Sequence, residues 1–210
     1  AAALDAHGPK AAESFVSEVF WRVYFKGYLE QRPTVWSAYC EARDRALGSD
    51  KGGSDKGGSD TGDDYARAIE GRTGIAAFDH WARELVATGY LHNHARMWTA
   101  SIWIFTLKLD WTLGADWFLR HLIDGDAASN TLSWRWVAGL HTKGKHYLAH
   151  SDNIARFTAR MPGGPLMAKG LDESAEALSE AAEHARRDLD LPPAPTRDAF
   201  ARPWALLLHD

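Results

Sequence analysis

Glu18, Trp21 and Arg22 bring a carboxylate, an indole and a guanidinium into about one helical turn. Residues three or four apart share a helix face, so these three form one surface together with Phe25. Such a set can hydrogen-bond the edge of a planar group, stack on its face and balance a charge beside it. A surface ion pair beside a core tryptophan would look the same. A second cluster, Gly89-Tyr90-Leu91-His92-Asn93-His94-Ala95-Arg96-Met97, holds two histidines. On a helix, side chains two apart point in different directions, and no third ligand accompanies them, so no metal is expected. Arg96 enters an apolar stretch, where a buried guanidinium requires a carboxylate. Asp124 is the candidate partner. It opens the third cluster, Asp124-Gly125-Asp126-Ala127-Ala128-Ser129-Asn130, which is followed by Trp134-Arg135-Trp136. That run offers two acids, two indoles and an amide that both donates and accepts. It lacks the further oxygen ligands and closing Glu of a calcium loop. The chain shows no dinucleotide-type phosphate loop and no Ser nucleophile elbow.

The elements that must position these groups read as helices. The chain has 210 residues, of which 45% are apolar and 25% charged. That suits one domain spanning 1–210 and excludes collagen, wholesale disorder and a disulfide scaffold. The single Cys40 rules out an intrachain disulfide and any cysteine zinc cluster, and it fits a reducing compartment. Net charge is −4, so a nucleic-acid partner needs a local basic surface. No secretory signal is visible, and the apolar run Met97 to Leu109 is far short of the ~20 residues of a membrane span. A cytoplasmic protein without a membrane partner is expected. Ten tryptophans serve either as core filling or as surfaces for stacking and electron transfer.

Ala1 to Lys10 reads as weakly ordered. Helices are expected over Ala11–Gln31 and Val35–Leu47, the first stopped by Pro33, with Phe15, Val16, Val19, Phe20 and Val23 as an apolar stripe. Residues 48–64 contain a nearly repeated Asp-Lys-Gly-Gly-Ser unit and read as a flexible linker, either engineered or a natural low-complexity insert. Further helices are expected over Phe78–Thr88 with Gly89 as C-cap, Tyr90–Leu109, Ala115–Ile123 and Thr131–Ala138. Asp126 is a candidate cap. Asp172–Leu189 has the pattern of an amphipathic helix capped by Asp172. No segment alternates with period two, so the fold class is all-α.

The order and spacing of these motifs resemble the FAD-binding helical domain of the photolyase/cryptochrome family. The resemblance runs from about Glu13 to Phe157 and also includes Glu70-Gly71-Arg72-Thr73-Gly74. The stretch Ala138 to Lys145 and Asp152 to Arg156 is most similar to short photolyase-like proteins without an antenna domain. On that resemblance the domain is incomplete at its N-terminus. The resemblance implies FAD as cofactor, bordered by Phe15, Arg22, Arg96, Asp124, Asp126 and Asn130, with Arg96 and Asp124 a buried pair. It implies a pyrimidine-dimer pocket lined by Glu18, Trp21, Asn93, Met97 and Trp136, and electron transfer through Trp134 and Trp111. His94 stands where bacterial dimer photolyases commonly have Arg. A distal third tryptophan has only Trp36 and Trp81 as candidates. Lys143, Lys145, Arg156 and Arg160 would meet DNA phosphates, with damaged DNA, single- or double-stranded, as partner. The implied function is a light-driven, FAD-dependent repair lyase or its minimal core. The alternatives are a cryptochrome-like photoreceptor without repair, or a scaffold that has lost FAD.

Overall fold

In the computed structural model, which describes residues 2–49 and 61–188, the regular structure is helical, with no strand among the described residues. Helices α1 (Ala2–Gln31) and α2 (Pro33–Ser49) are followed by α3 (Thr61–Ile69), α4 (Ala76–Thr88) and α5 (Asn93–Ser101). A π-helical turn, Ile102–Thr106, continues α5. Helices α6 (Trp111–His121), α7 (Ala127–Ala138) and α8 (Ser151–Thr158) complete the set.

The core lies where α4, α5, α6 and α7 meet, and tryptophan fills much of it. Trp81, Trp98, Trp103, Trp117 and Trp134 are all buried. Trp103 is central: it stacks on Trp117 at 5.6 Å and meets Trp134 edge-on at 6.1 Å. Gly114 of α6 makes this junction possible. A Cβ there would fall 2.3 Å from Cη2 of Trp134 and 2.9 Å from Cε2 of Trp103.

Several boundaries differ from expectation, each for a local reason. The stretch 2–10, expected to be weakly ordered, is helical, with a break at Gly8, whose φ of 74° favours glycine. Pro9 then opens the next turn, where its fixed φ is helical and its missing N–H is not needed. Apolar Phe15, Val19, Phe20 and Val23 of α1 stand open rather than buried. Helix α2 runs through Gly48 to Ser49 and Thr61–Asp64 opens α3, so the ends of the expected linker 48–64 are helical. Residues 50–60 lie outside the described residues. Tyr90–Leu109, expected as one helix, divides: His92 caps α5 by accepting from the His94 amide, and the π turn ends it. Helix α6 starts four residues before the expected Ala115 because Asp110 accepts from the Thr112 amide at 2.8 Å and its hydroxyl at 2.7 Å. Helix α7 likewise starts at Ala127, four residues before Thr131, because Asp126 caps it as expected.

The largest departure is 172–188, expected as an amphipathic helix. It is an irregular strap whose amides serve other elements: Leu178 N–H donates to Ala138 O and Arg187 N–H to Gln31 O, both at 2.9 Å. Its side chains anchor it as well. Lys108 Nζ meets Asp172 at 2.7 Å, and Arg135 grips Glu180 with both terminal nitrogens. These partners outweigh the helical pattern, which by itself is a weak prior.

Glu173 accepts from the Ser151 hydroxyl at 2.6 Å and from the Ser151 amide at 2.8 Å, with His150 at 3.4 Å. These donors hold its carboxyl down at about 2. A depressed carboxylate contributes stability above its unfolded value and loses it as pH falls through the folded one. The Ser151–Glu173 contact is therefore kept at pH 4.5 and released as pH approaches about 2. The Ser151 amide resonance should titrate with a midpoint near the latter; a midpoint at the ordinary glutamate value contradicts the contact.

Candidate functional site

Charge gathers at the turn between α6 and α7. Ile123 N–H donates to Gly89 O at 3.0 Å, which ties the turn to the end of α4. Beside it, Asp124 is held bidentately by Arg96 of α5, with Nη2 at 3.0 Å from Oδ1 and Nη1 at 3.3 Å from Oδ2. Arg96 is aimed by its own Nε, which donates to Leu91 O at 2.8 Å. Arg22 of α1 adds a second guanidinium, 3.6 Å from Asp124 Oδ2. Two residues on, Asp126 Oδ1 accepts from the Ser129 amide at 2.8 Å, and Oδ2 meets Lys26 of α1 at 2.5 Å. Burial pushes the Asp126 carboxyl up, but Lys26 and Ser129 outweigh it and hold the group below the usual range. Two carboxylates thus join α1, α5 and α7.

The Arg96–Asp124 pair exists as the sequence implies, but it is not buried. The side chains are 24% and 48% exposed. Water reaches both charges, so the large cost of orphaning a buried ion does not apply. Asp124→Asn should lower stability by about 1 kcal/mol or less, read as a small shift in the urea midpoint. A loss several times larger contradicts this geometry.

The other residues named from the sequence fall into separate groups. Asn130 is buried on α7, and its Nδ2 donates to Ala115 O at 2.7 Å. Trp134 is buried against Trp103 and Phe118, the latter at 5.0 Å. Trp111 lies elsewhere, 5.7 Å from Tyr39 and under the Arg135 guanidinium at 5.9 Å. Among the described residues no ring contact joins Trp134 to Trp111, whereas Trp36 reaches Trp111 through Tyr39, at 5.2 and 5.7 Å. Trp81 instead stacks on Trp98. Trp21 and Trp136 are exposed, Trp21 against Tyr24 and Phe25 and Trp136 stacked on Tyr147 at 5.8 Å. Phe15, Glu18 and Asn93 are exposed and Met97 is half-buried. Lys143 and Lys145 lie in the exposed turn after α7, and Arg156 and Arg160 are exposed on and just beyond α8.

His92 and His94 do not diverge as expected. Their rings stack at 5.5 Å and 17°, because His92 is the cap of α5 and lies outside its helical geometry. Among the described residues no group of three His, Cys, Asp or Glu could hold a metal, and no helix is long and apolar enough to cross a membrane. Lys26 is the site residue that motif reading missed. Its signal was present: it follows Arg22 by four residues and therefore shares its face. Trp103 was missed for a different reason, since a tryptophan inside an apolar run carries no local sign of its neighbours.

Residues 15–162 match the FAD-binding domain of DNA photolyase, and the chain belongs to that family. It is similar to the deoxyribodipyrimidine photo-lyase of Streptomyces griseus, 38% identical over 136 residues, covering 64% of this chain and 27% of that one. The enzyme of the same name from Neurospora crassa is 30% identical over 166 residues, covering 79% and 26%. A solved bacterial class III photolyase from Agrobacterium tumefaciens aligns with a TM-score of 0.50 at 28% identity, covering 70% of this chain and 28% of that one. The chain therefore spans about a quarter of the length of the curated relatives it matches.

The residues present fit FAD, the cofactor of this domain family. Two arginines, a lysine and two carboxylates converge at one turn. Helix α7 also carries four buried polar atoms without a hydrogen-bond partner, Ser129 Oγ, Thr131 Oγ1, Trp134 Nε1 and Arg135 Nε. Buried polar groups are normally paired, so these atoms retain hydrogen-bonding capacity that a polar ligand can use.

Proposed function

We propose that this chain holds FAD at the α6–α7 turn and serves as the core of a light-driven DNA repair lyase that splits pyrimidine dimers. The observation that carries the reading is the Arg96–Asp124–Arg22 constellation with Asp126–Lys26 beside it, in a chain of this family. The chemistry FAD supplies when bound is photoinduced donation of one electron and its recovery. The protein's share is position and electrostatics. Arg96 and Asp124 present a planar charged pair along which a flat ring can lie, and Arg22 balances added negative charge. Asp126, kept ionised, accepts from an N–H or hydroxyl. Asn130 gives one of its two amide hydrogens to Ala115 O, and its carbonyl oxygen accepts from an N–H donor. Phe15 borders the group from α1.

Trp21 and Trp136, both open to solvent, supply faces for an extruded dimer, and Glu18, Asn93 and Met97 its edge contacts. Lys143, Lys145, Arg156 and Arg160 neutralise phosphates. With FAD bound, Trp134 would serve as the first electron donor and Trp111 as its refill; among the described residues no ring contact joins these two, whereas Trp134 meets Trp103 edge-on at 6.1 Å.

Trp134→Phe tests the assignment. Phe keeps an aromatic ring but is far harder to oxidise. At equal flavin content, anaerobic photoreduction with an external reductant should be suppressed in the variant. Equal rates would remove Trp134 from the mechanism. Retained FAD and photoreduction without dimer splitting would identify the cryptochrome-like alternative.

A further inference from the structure

A column of rings runs from the core to the surface beside α5. Buried Trp81 stacks on buried Trp98 at 5.4 Å and 23°. His94 lies 5.5 Å from Trp98 at 25°, and 5.5 Å from Phe157 of α8 at 18°. Phe157 is 53% exposed, an unusual setting for a phenylalanine in a stack so well anchored. Arg156 caps it, with its Cζ 4.7 Å from the ring centroid. Among the described residues Arg156 has no carboxylate partner, although Asp152 stands one turn before it on α8. Arg160, also exposed, follows one turn later and is likewise unpaired among the described residues.

We propose that the His94–Phe157 stack is a landing site for one unpaired nucleobase of single-stranded DNA. The Arg156 guanidinium passes from the Phe157 ring to the adjoining phosphate as the base takes its place. The proposal rests on the DNA half of the reading above. Three features support it. The exposed rings are nearly parallel, as a base inserted in series requires. Their backing is a buried indole pair, so the platform loses little freedom when it is used. A base offers a π-face to Phe157 while its phosphate offers charge to Arg156 and Arg160, which a duplex with paired, stacked bases cannot do. Recognition is therefore of unpaired bases generally, without sequence preference.

Binding of undamaged strands in the dark tests this separately from flavin chemistry. The probes are an oligothymidylate of about 12 nucleotides and an abasic sugar-phosphate strand of equal length. Phe157→Ala, at an exposed position, should weaken oligothymidylate binding about 5- to 150-fold and leave the abasic strand unaffected. Phe157→Trp should restore the difference. Arg156→Ala should weaken both strands and reduce the salt slope by about one. Equal affinity of the parent for the two strands, equal loss of both in Phe157→Ala, or no binding at all would overturn the platform. Base-dependent binding without dimer splitting would leave the platform standing and the repair reading refuted.

Discussion

Glu180→Ala is expected to cost about 3 kcal/mol of stability or more, a large share of what a domain this size possesses. Arg135 is buried on α7, and both its terminal nitrogens are spent on Glu180. Its Nε already lacks a partner. Removing the carboxylate leaves a buried guanidinium with no counter-ion and only the Trp111 ring facing it among the described residues. Glu180 feels the same pair from the other side: burial pushes its carboxyl up, but Arg135 and His184 outweigh that and hold it low. The strap should loosen at the same time, because Glu180 fixes its middle between the Leu178 and Arg187 amide bonds. The double variant Arg135→Met, Glu180→Leu separates charge from packing. A buried pair replaced by apolar side chains of similar size is often neutral or better, so the double should be more stable than Glu180→Ala. Denaturant midpoints decide the matter. A single variant that unfolds with the parent would show that Arg135 finds water or another partner.

Gly114→Ala is expected to be comparably damaging, though it adds one methyl group. The new Cβ would sit 2.3 and 2.6 Å from Trp134 ring atoms and 2.9 Å from Trp103. Both indoles are fully buried and locked, Trp103 by its Nε1 bond to Asp110 O at 2.8 Å as well as by Trp117. Neither can swing away as a flexible side chain would. Overpacking of this kind costs about 1–3 kcal/mol, and two rigid rings place the site at the upper end. The melting temperature should fall, and the near-ultraviolet dichroism of the indoles should change with it. Gly27→Ala is the control, since nothing lies near its Cβ position. Similar behaviour of the two variants would mean that the Trp103–Trp134 junction is looser than its geometry indicates.

Legibility in the sequence followed the range of the interaction. Asp126 as a cap was readable because capping is local: the residue, its amide partner and the helix lie within four positions. The Arg96–Asp124 pair was readable because each residue needed what the other has, although they are 28 positions apart. Its exposure was not, because depth depends on what the rest of the chain places over the pair. The strap was misread for the same reason. Ala175, Leu178, Ala182 and Ala185 have helical spacing, yet the carbonyls that accept the strap's amides belong to Ala138 and Gln31, far away in the chain. The stacking of His92 on His94 hinged on a one-residue boundary: inside a helix the two diverge, at its cap they align. Gly114 gave no sign at all, since a glycine that admits two distant indoles has no signature of its own in the sequence.

The proposed splitting of a DNA dimer by light, with FAD held at the α6–α7 turn, is open to direct test. The most direct measurement loads the purified chain with FAD and chemical reductant and adds an oligonucleotide carrying one thymine dimer. Repair is then scored as intact thymines after blue light and in darkness. Light-dependent repair is expected in the parent, and its loss in Asp124→Ala together with the flavin absorbance. A chain that retains flavin, binds the strand and leaves every dimer intact under illumination would contradict the proposal.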